Sequence, residues 1–286
     1  MNRIFLLRLL VVVTTLLPVA CTNSVSKSAE VATTTNALPK LEIVTREEHF
    51  PIEKGVTRLV LRNPHGDVRL RIADQGKVGI YATIQRIGEQ PLDPTFDVRQ
   101  NAGIFELTVR YPNDAAVKAR GNHLLGRVDI GVWVPSSMAL DIATTDGLLQ
   151  ARRISSPLLA RTLSGALEVT SVGDLDVETV TGRISVRQTS GQWQAPIRVV
   201  SQTGTIFAGV PAFADVRLSI RAGGAIRLPP ELTAAEKLAD GSMRLDARYG
   251  AALREMHIES VKGDVDVQLV IPDSSLGAKA DAPAAE

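Results

Sequence analysis

The sequence predicts an all-β protein, folded as a β-solenoid or β-helix-like repeat of about 20 residues per unit. Short runs alternate apolar and polar side chains, a glycine precedes many of them, and the runs recur at a regular distance along the chain. An antiparallel β-sandwich is the alternative, because Gly165, Gly173, Gly182 and Gly191 lie eight or nine residues apart and suit hairpin turns. The longer period keeps the better register and favours the solenoid.

Seven copies of the repeat align on a glycine. They are HGDVRL at Gly66, DGLLQA at Gly147, SGALEV at Gly165, TGRISV at Gly182, TGTIFA at Gly204, GGAIRL at Gly224 and KGDVDV at Gly263. From Gly147 onward the glycines are 18, 17, 22, 20 and 39 residues apart, so the last interval equals about two units. Each glycine predicts a turn that needs positive φ or a close backbone approach.

The positions after each glycine separate a core from a surface. Positions two and four are always apolar: Val68, Leu149, Leu167, Ile184, Ile206, Ile226, Val265, then Leu70, Ala151, Val169, Val186, Ala208, Leu228 and Val267. Because side chains alternate along a strand, these residues predict one continuous core. The positions between them share no residue type, which favours a structural module whose ligand is bound by a local patch.

Looser strands precede the repeats, within residues 41–135. Val78, Ile80, Ala82 and Ile84 fall on one face of a strand, and Trp133 alternates with Val132 and Val134, so its side of the sheet stays open. ELTAAEKLADG at 231–241 predicts the one helix, because it combines good helix formers with a terminal glycine.

The two ends of the chain predict export and lipid anchoring. Residues 1–20 combine Arg3 and Arg8 with an apolar run, as a signal peptide does. The single cysteine, Cys21, follows Pro18-Val19-Ala20 and resembles the lipobox of bacterial lipoproteins. This resemblance implies acylation at Cys21 and, with Thr22 after it, the outer membrane. Residues 21–40 predict a flexible tether, 41–272 the β-repeat domain and 273–286 a disordered tail.

Composition and motifs indicate no catalysis and no cofactor. The near-neutral charge argues against a nucleic-acid partner, the four histidines lack metal-site spacing, and no motif selects a catalytic serine. Asp174 with Asp176, and Asp264 with Asp266, keep a carbohydrate-active enzyme as an alternative. The arginine-rich segment predicts a patch for an anionic glycan or a protein: Arg183, Arg187, Arg198, Phe207, Arg217, Arg221 and Arg227.

The sequence resembles the bacterial "putative adhesin" family of β-strand-repeat envelope proteins. The resemblance lies in FPIEKGVTRLVLRNPHGDVRL at 50–70, VWVPSSMALDIATTDGLLQA at 132–151, the copies at Gly165, Gly182 and Gly204, and IESVKGDVDVQLVIP at 258–272. It implies a solenoid-like fold without known catalytic residues. We therefore expect a non-catalytic envelope lipoprotein that acts in surface interaction or adhesion, periplasmic or surface-facing. A structural or stress-related factor that acts through a protein partner is a further alternative.

Overall fold

Two mixed β-sheets share one hydrophobic core, as the alternating runs of the sequence predict. This computed structural model describes residues 41–87, 94–111, 127–191, 193–212, 215–232, 235–248 and 250–271. The predicted signal peptide, Cys21, the tether and the tail at 273–286 lie outside the described residues. The described part contains no helix, so the all-β prediction is confirmed.

The first sheet has ten strands. In spatial order they are β1 (Leu41–Pro51), β4 (Lys77–Ile87), β7 (Val128–Val134), β3 (Val68–Ile72), β9 (Leu149–Ile154), β11 (Leu167–Ser171), β13 (Ile184–Gln188), β15 (Ile206–Pro211), β21 (Val265–Val270) and β17 (Ile226–Arg227). From β7 to β17 neighbouring strands run parallel, whereas β1, β4 and β7 pair antiparallel.

The second sheet has eleven strands. In spatial order they are β18 (Glu236–Lys237), β19 (Met243–Arg248), β16 (Val216–Ala222), β20 (Arg254–Ser260), β14 (Ile197–Ser201), β12 (Leu175–Thr179), β10 (Leu158–Thr162), β8 (Ala139–Asp146), β2 (Arg58–His65), β6 (Ile104–Arg110) and β5 (Thr95–Asn101). The strands from β16 to β6 run parallel to their neighbours, and the outermost pairs at both ends are antiparallel.

Successive strands of the repeats alternate between the two sheets. Strand β10 lies in the eleven-stranded sheet, β11 in the ten-stranded sheet, and β12 returns to pair in parallel with β10. The turns at Gly165, Gly173 and Gly182 therefore connect the two sheets and are not hairpin turns. This alternation is the arrangement of a solenoid, in which each unit buries its apolar face against its neighbours.

The predicted core positions are confirmed. All of them are buried except Ile226 and Leu228, which are partly buried and pack against the core at the edge of the ten-stranded sheet. Val78, Ile80, Ala82 and Ile84 are buried as well.

A column of glycines connects the repeats at one turn. A Cβ at Gly182 would overlap the carbonyl oxygen of Gly165, and Gly165 stands in the same relation to Gly147. Gly204 and Gly263 extend the column, and Gly66 begins it beside Gly147. Positive φ occurs at Gly66 and Gly147, so close backbone approach is the requirement that the column shares.

A buried hydroxyl stands three residues before most glycines of the column. The backbone N–H of Gly165 donates to Thr162 Oγ1 (3.0 Å), and that of Gly182 donates to Thr179 Oγ1 (3.0 Å). The Gly204 N–H donates to Ser201 Oγ (2.8 Å), and the Gly263 N–H donates to Ser260 Oγ (3.0 Å). A buried N–H without a partner is costly. The Ser/Thr-x-x-Gly spacing therefore gives the glycine N–H an acceptor at these four turns.

The repeat after Gly204 is not the next one in sequence. Strand β15 pairs with β21, so the copy at Gly263 follows Gly204, and the copy at Gly224 lies outside it on β17. The segment between Gly204 and Gly263 is therefore a detour, which places β16, β18, β19 and β20 in the other sheet.

The prediction of a helix at 231–241 is wrong. Among the described residues of this segment, Leu232 donates to the Pro229 carbonyl in a turn (3.0 Å), and Glu236–Lys237 pair with β19 as β18. Helix propensity is a weak preference that tertiary pairing overrides, and a segment this short gains little from its own hydrogen bonds.

Candidate ligand-binding face

The outer face of the ten-stranded sheet carries exposed aromatic side chains. Tyr81, Trp133 and Phe207 are 40%, 39% and 38% exposed. Each alternates with buried residues of its strand, which fixes its outward direction. Among the described residues, no large apolar side chain is exposed on a strand of the eleven-stranded sheet. The two sheets therefore present different surfaces.

Three of the predicted patch residues come together on this face. Arg183, Arg187 and Phe207 line a cavity of about 260 Å³, with Ser185 and Gln268. Arg187, Gly209 and Gln268 are neighbours in register across β13, β15 and β21. We call these residues, Arg183, Ser185, Arg187, Phe207, Gly209 and Gln268, the C-terminal groove.

The absence of a side chain at Gly209 leaves space in the C-terminal groove. A Cβ there would lie 3.2 Å from Arg187 Cγ and 3.0 Å from Val270 Cγ1. Arg183 lies 3.7 Å from Glu168, while Arg187 makes no ion pair within the described part of the chain. The C-terminal groove thus offers one cation and one aromatic face to a ligand.

The other four predicted residues do not join the groove. Arg198, Arg217 and Arg221 lie on β14 and β16 of the eleven-stranded sheet, and Arg227 lies on the edge strand β17. Alternate strands enter different sheets, so neighbours in sequence separate in space. The residues predicted as one patch over 183–227 are therefore divided between the two sheets, and ligand binding by them stays a prediction.

These four arginines are engaged by carboxylates. Arg198 donates to Asp176 (3.0 Å) and Glu178 (3.3 Å). Burial lowers the pKa of the Arg198 guanidinium, but these two acids outweigh it, and the pKa is raised. The remaining pairs are Arg217 with Glu255 (3.6 Å), Arg221 with Asp240 (2.9 Å) and Arg227 with Asp264 (2.9 Å).

Three of the four carboxylates that suggested an enzyme have structural partners: Asp174, Asp176 and Asp264. Asp174 Oδ1 accepts the backbone N–H groups of Gln194 (2.6 Å) and Ala195 (3.0 Å). Asp264 accepts from the Ala225 N–H (2.9 Å) and from Arg227. These two donors hold the pKa of the Asp264 carboxyl below its usual range. A raised pKa suits a general acid, so this arrangement supports turn capping rather than acid catalysis.

The described residues contain neither a cluster of metal ligands nor a membrane-spanning helix. No group of three or more His, Cys, Asp or Glu side chains there is arranged to hold a metal ion. No helix there has the length and apolarity needed to cross a bilayer.

A second cluster on the same face was missed by sequence reasoning. Trp133 and Arg71 are neighbours in register on β7 and β3, and Arg152 follows on β9. Arg71 is 62 positions from Trp133 and 81 positions from Arg152 in sequence. The three residues meet because β7 lies between β4 and β3 in the sheet, and β9 lies on the other side of β3. The available signal was the pair of segments VGIY and IGVW, in which glycine and an aromatic residue share the outward face.

Three solved structures of bacterial proteins are similar to this chain. A putative cell adhesion protein from Clostridium sporogenes has 15% identity and a TM-score of 0.42, with 81% of this chain and 100% of that chain covered. A putative adhesin from Bacteroides fragilis has 11% identity and a TM-score of 0.33, with 80% and 97% covered. A putative adhesin from Parabacteroides merdae has 9% identity and a TM-score of 0.21, with 78% and 96% covered.

The names of these three proteins agree with the family that the sequence resembles. No protein-family model matches the sequence, and no curated protein matches it.

Proposed function

We propose that this chain is a non-catalytic lipoprotein of the bacterial cell envelope, whose β-repeat domain mediates surface interaction or adhesion. The outer face of the ten-stranded sheet is the interaction face. One observation carries this proposal: exposed aromatic side chains and arginines without ion pairs, Arg152 and Arg187, share that face within the described residues.

Arginine and aromatic side chains are enriched in the centres of protein interfaces, because they combine a large contact area with directional polar groups. On the described strands of the eleven-stranded sheet no large apolar side chain is exposed, and most of the arginines have partners. Asp141, for example, pairs with Arg58 and Arg62 at 2.6 and 2.8 Å, whereas Arg248 makes no ion pair within the described residues. Paired charges keep a sheet soluble, whereas the ten-stranded sheet retains groups that a partner could use.

The location follows from the predicted signal peptide and from Cys21. Acylation of Cys21 would hold the chain at a membrane, and the outer membrane is the proposed site. The Cys21→Ala variant should lose fatty-acid labelling and leave the membrane fraction, because the acylated thiol is removed. Ser24→Ala, in the same segment, is the matched control and should fractionate like the wild type. Unchanged labelling of Cys21→Ala would refute the anchor.

The interaction face is tested with the full chain in detergent micelles, screened against immobilised envelope glycans and extracellular-matrix proteins. Arg187→Ala with Phe207→Ala should weaken capture by at least about tenfold, since both groups of the C-terminal groove are lost. Arg217→Ala with Arg244→Ala, on the other sheet, is the control and should bind normally. The proposal fails if the wild type captures nothing, or if both double variants bind equally.

A further inference from the structure

The second cluster on the outer face combines an aromatic surface with closely spaced cations. Across β4, β7, β3 and β9, one row of neighbours in register holds Gly79, Trp133, Arg71 and Arg152. Tyr81 and Arg69 lie in the adjacent row, on either side of Gly131. We call Tyr81, Trp133, Arg69, Arg71 and Arg152 the aromatic–arginine platform.

Two glycines form the surface against which Trp133 rests. A Cβ at Gly131 would lie 3.7 Å from Trp133 Cη2, and a Cβ at Gly79 would lie 3.6 Å from Trp133 Cε3. The six-membered ring of the indole therefore covers both glycines while the side chain stays 39% exposed. Glycine weakens a strand interior, and it often marks a place where another group approaches closely.

The cations of the platform are only partly neutralised. Arg69 pairs with Asp67 at 2.8 Å, whereas Arg71 donates to the Leu70 carbonyl (2.9 Å) and to Gln150 (3.3 Å), which carry no charge. Arg152 makes no ion pair within the described part of the chain. Burial and the positive charges of Arg152 and Arg69 lower the pKa of the Arg71 guanidinium. An anion placed beside Arg71 and Arg152 would relieve this repulsion.

A β-bulge beside the platform shapes the arginine side of the surface. The register between β9 and β11 shifts between Val169 and Ser171, and Arg153 has a φ of 57°. Arg152 and Arg153 are consequently both exposed, although strict alternation would bury one of them. Positive φ is unfavourable for a side chain as long as arginine, and bulges often re-aim side chains next to functional sites.

We propose that the aromatic–arginine platform binds an acidic polysaccharide, with a sugar ring stacked on Trp133 and its anionic group held by Arg71 and Arg152. The apolar face of a sugar ring matches the exposed indole, and a carboxylate or sulfate matches a guanidinium, which donates two parallel hydrogen bonds. Neither group alone selects this ligand, since the indole would accept a neutral sugar and the arginines would accept any polyanion. The inference rests on the proposed function, because it names the ligand class of the same face.

The probes are polygalacturonate and dextran sulfate, with neutral dextran and polyaspartate as the two controls. Binding to the full chain in detergent micelles is measured by titration at low and high salt. Both acidic polysaccharides should bind, and either control should bind at least about tenfold more weakly. A preference for polygalacturonate over dextran sulfate, or the reverse, identifies the anionic group. Affinity should fall with added salt, because exposed charges are screened.

Two substitutions separate the two recognition elements. Trp133→Ala and Arg152→Glu should each weaken binding by at least about tenfold, while Trp133→Phe should restore most of the affinity that Trp133→Ala loses. Arg244→Glu, on the other sheet, is the charge control. The chain has two tryptophans, and Trp193 is buried, so a saccharide-induced change in fluorescence should come from Trp133 and vanish in Trp133→Phe.

Equal binding of polyaspartate would overturn the sugar part of the proposal, and equal binding of dextran would overturn the anionic part. Unchanged affinity in Trp133→Ala and Arg152→Glu, with normal folding, would overturn the site. If the wild type captures matrix proteins or neutral glycans through the C-terminal groove but ignores both acidic polysaccharides, this inference fails and the proposed function stands.

Discussion

The central repeats and the two ends of the molecule follow different rules. From β8 to β15 the chain adds one parallel strand to each sheet in turn, with a glycine of the column and a buried hydroxyl at one corner. At the ends the strands pair antiparallel, and the spatial order departs from the sequence order. The centre is a stack of repeated units, whereas the strands at the ends terminate this stacking.

This difference concerns the exposed edges of the two sheets, where the stacking of repeats ends. A solenoid that ended on a regular repeat would leave two open sheet edges, which attract other strands. Here β17 and β18, at one edge of each sheet, have two residues each, and β5 carries the exposed Arg99 at the far edge of the eleven-stranded sheet. The aromatic–arginine platform lies where the end strands β4 and β7 meet the parallel strands β3 and β9.

The largest effect should come from a charge in the central core. Ile184 is fully buried, so Ile184→Asp places a carboxylate without a partner in the stacked interior and should cost about 4 kcal/mol or more of unfolding free energy. Its neighbour Arg183 points outward, and Arg183→Asp should stay within about 0.5 kcal/mol of the wild type. Equal denaturation midpoints for the two variants would contradict the alternation on which the central repeats depend.

A methyl group in the glycine column should have the next largest effect. In Gly182→Ala the new Cβ overlaps the Gly165 carbonyl oxygen, and the rigid backbone on both sides must move, which should cost about 3 kcal/mol. Gly76→Ala in an end loop meets no atom within 4 Å and pays only for its φ of 65°, about 1 kcal/mol. Thermal unfolding of both variants compares centre with end, and a greater loss at Gly76 would reverse the comparison.

The smallest effect should come from an ion pair at an end. Hydrogen bonds from Arg110 and Arg99 hold the pKa of the Asp97 carboxyl below its usual range. A lowered pKa contributes stability above the unfolded-state pKa of about 3.9, and this contribution is lost as pH falls through the folded-state pKa. Asp97→Asn should therefore lower the melting temperature slightly at pH 7, because exposed pairs contribute little.

The wild type and Asp97→Asn should converge in melting temperature under acidic conditions, where the carboxyl is protonated in both the folded and unfolded states of the wild type. A difference that grows on acidification would show that Asp97 acts by another route. Glu106→Gln, on the neighbouring strand β6, is a suitable control, since it removes a carboxylate from the same antiparallel pair.

Much of the centre could be predicted from the sequence, because local rules govern it. The glycine spacing and the apolar positions two and four residues later identified the core residues, including Ile184 and Val186. The order of the last strands could not be predicted, because nothing local states that β15 pairs with β21 rather than with β17. The helix at 231–241 failed for a related reason, since pairing with β19 decides the state of Glu236–Lys237.

The candidate face was less accessible to sequence reasoning. Arg183, Arg187 and Phe207 line one cavity because β13 and β15 are neighbours in the same sheet. Arg198 lies apart from them, because its strand β14 belongs to the other sheet. Arg71, Trp133 and Arg152 meet only after the end strands have paired, so their proximity depends on contacts between distant segments.

The glycine column also limits how such a domain can change its length over evolutionary time. At the column glycines, the carbonyl oxygen of the preceding turn lies where a Cβ would be. Neighbouring turns must therefore have the same shape. A duplication or deletion that removes part of a unit breaks the column, whereas one that spans a whole unit joins glycine to glycine again. Descendants of this chain should therefore differ by complete turns, and each added turn brings fresh outward positions on which new specificities can arise.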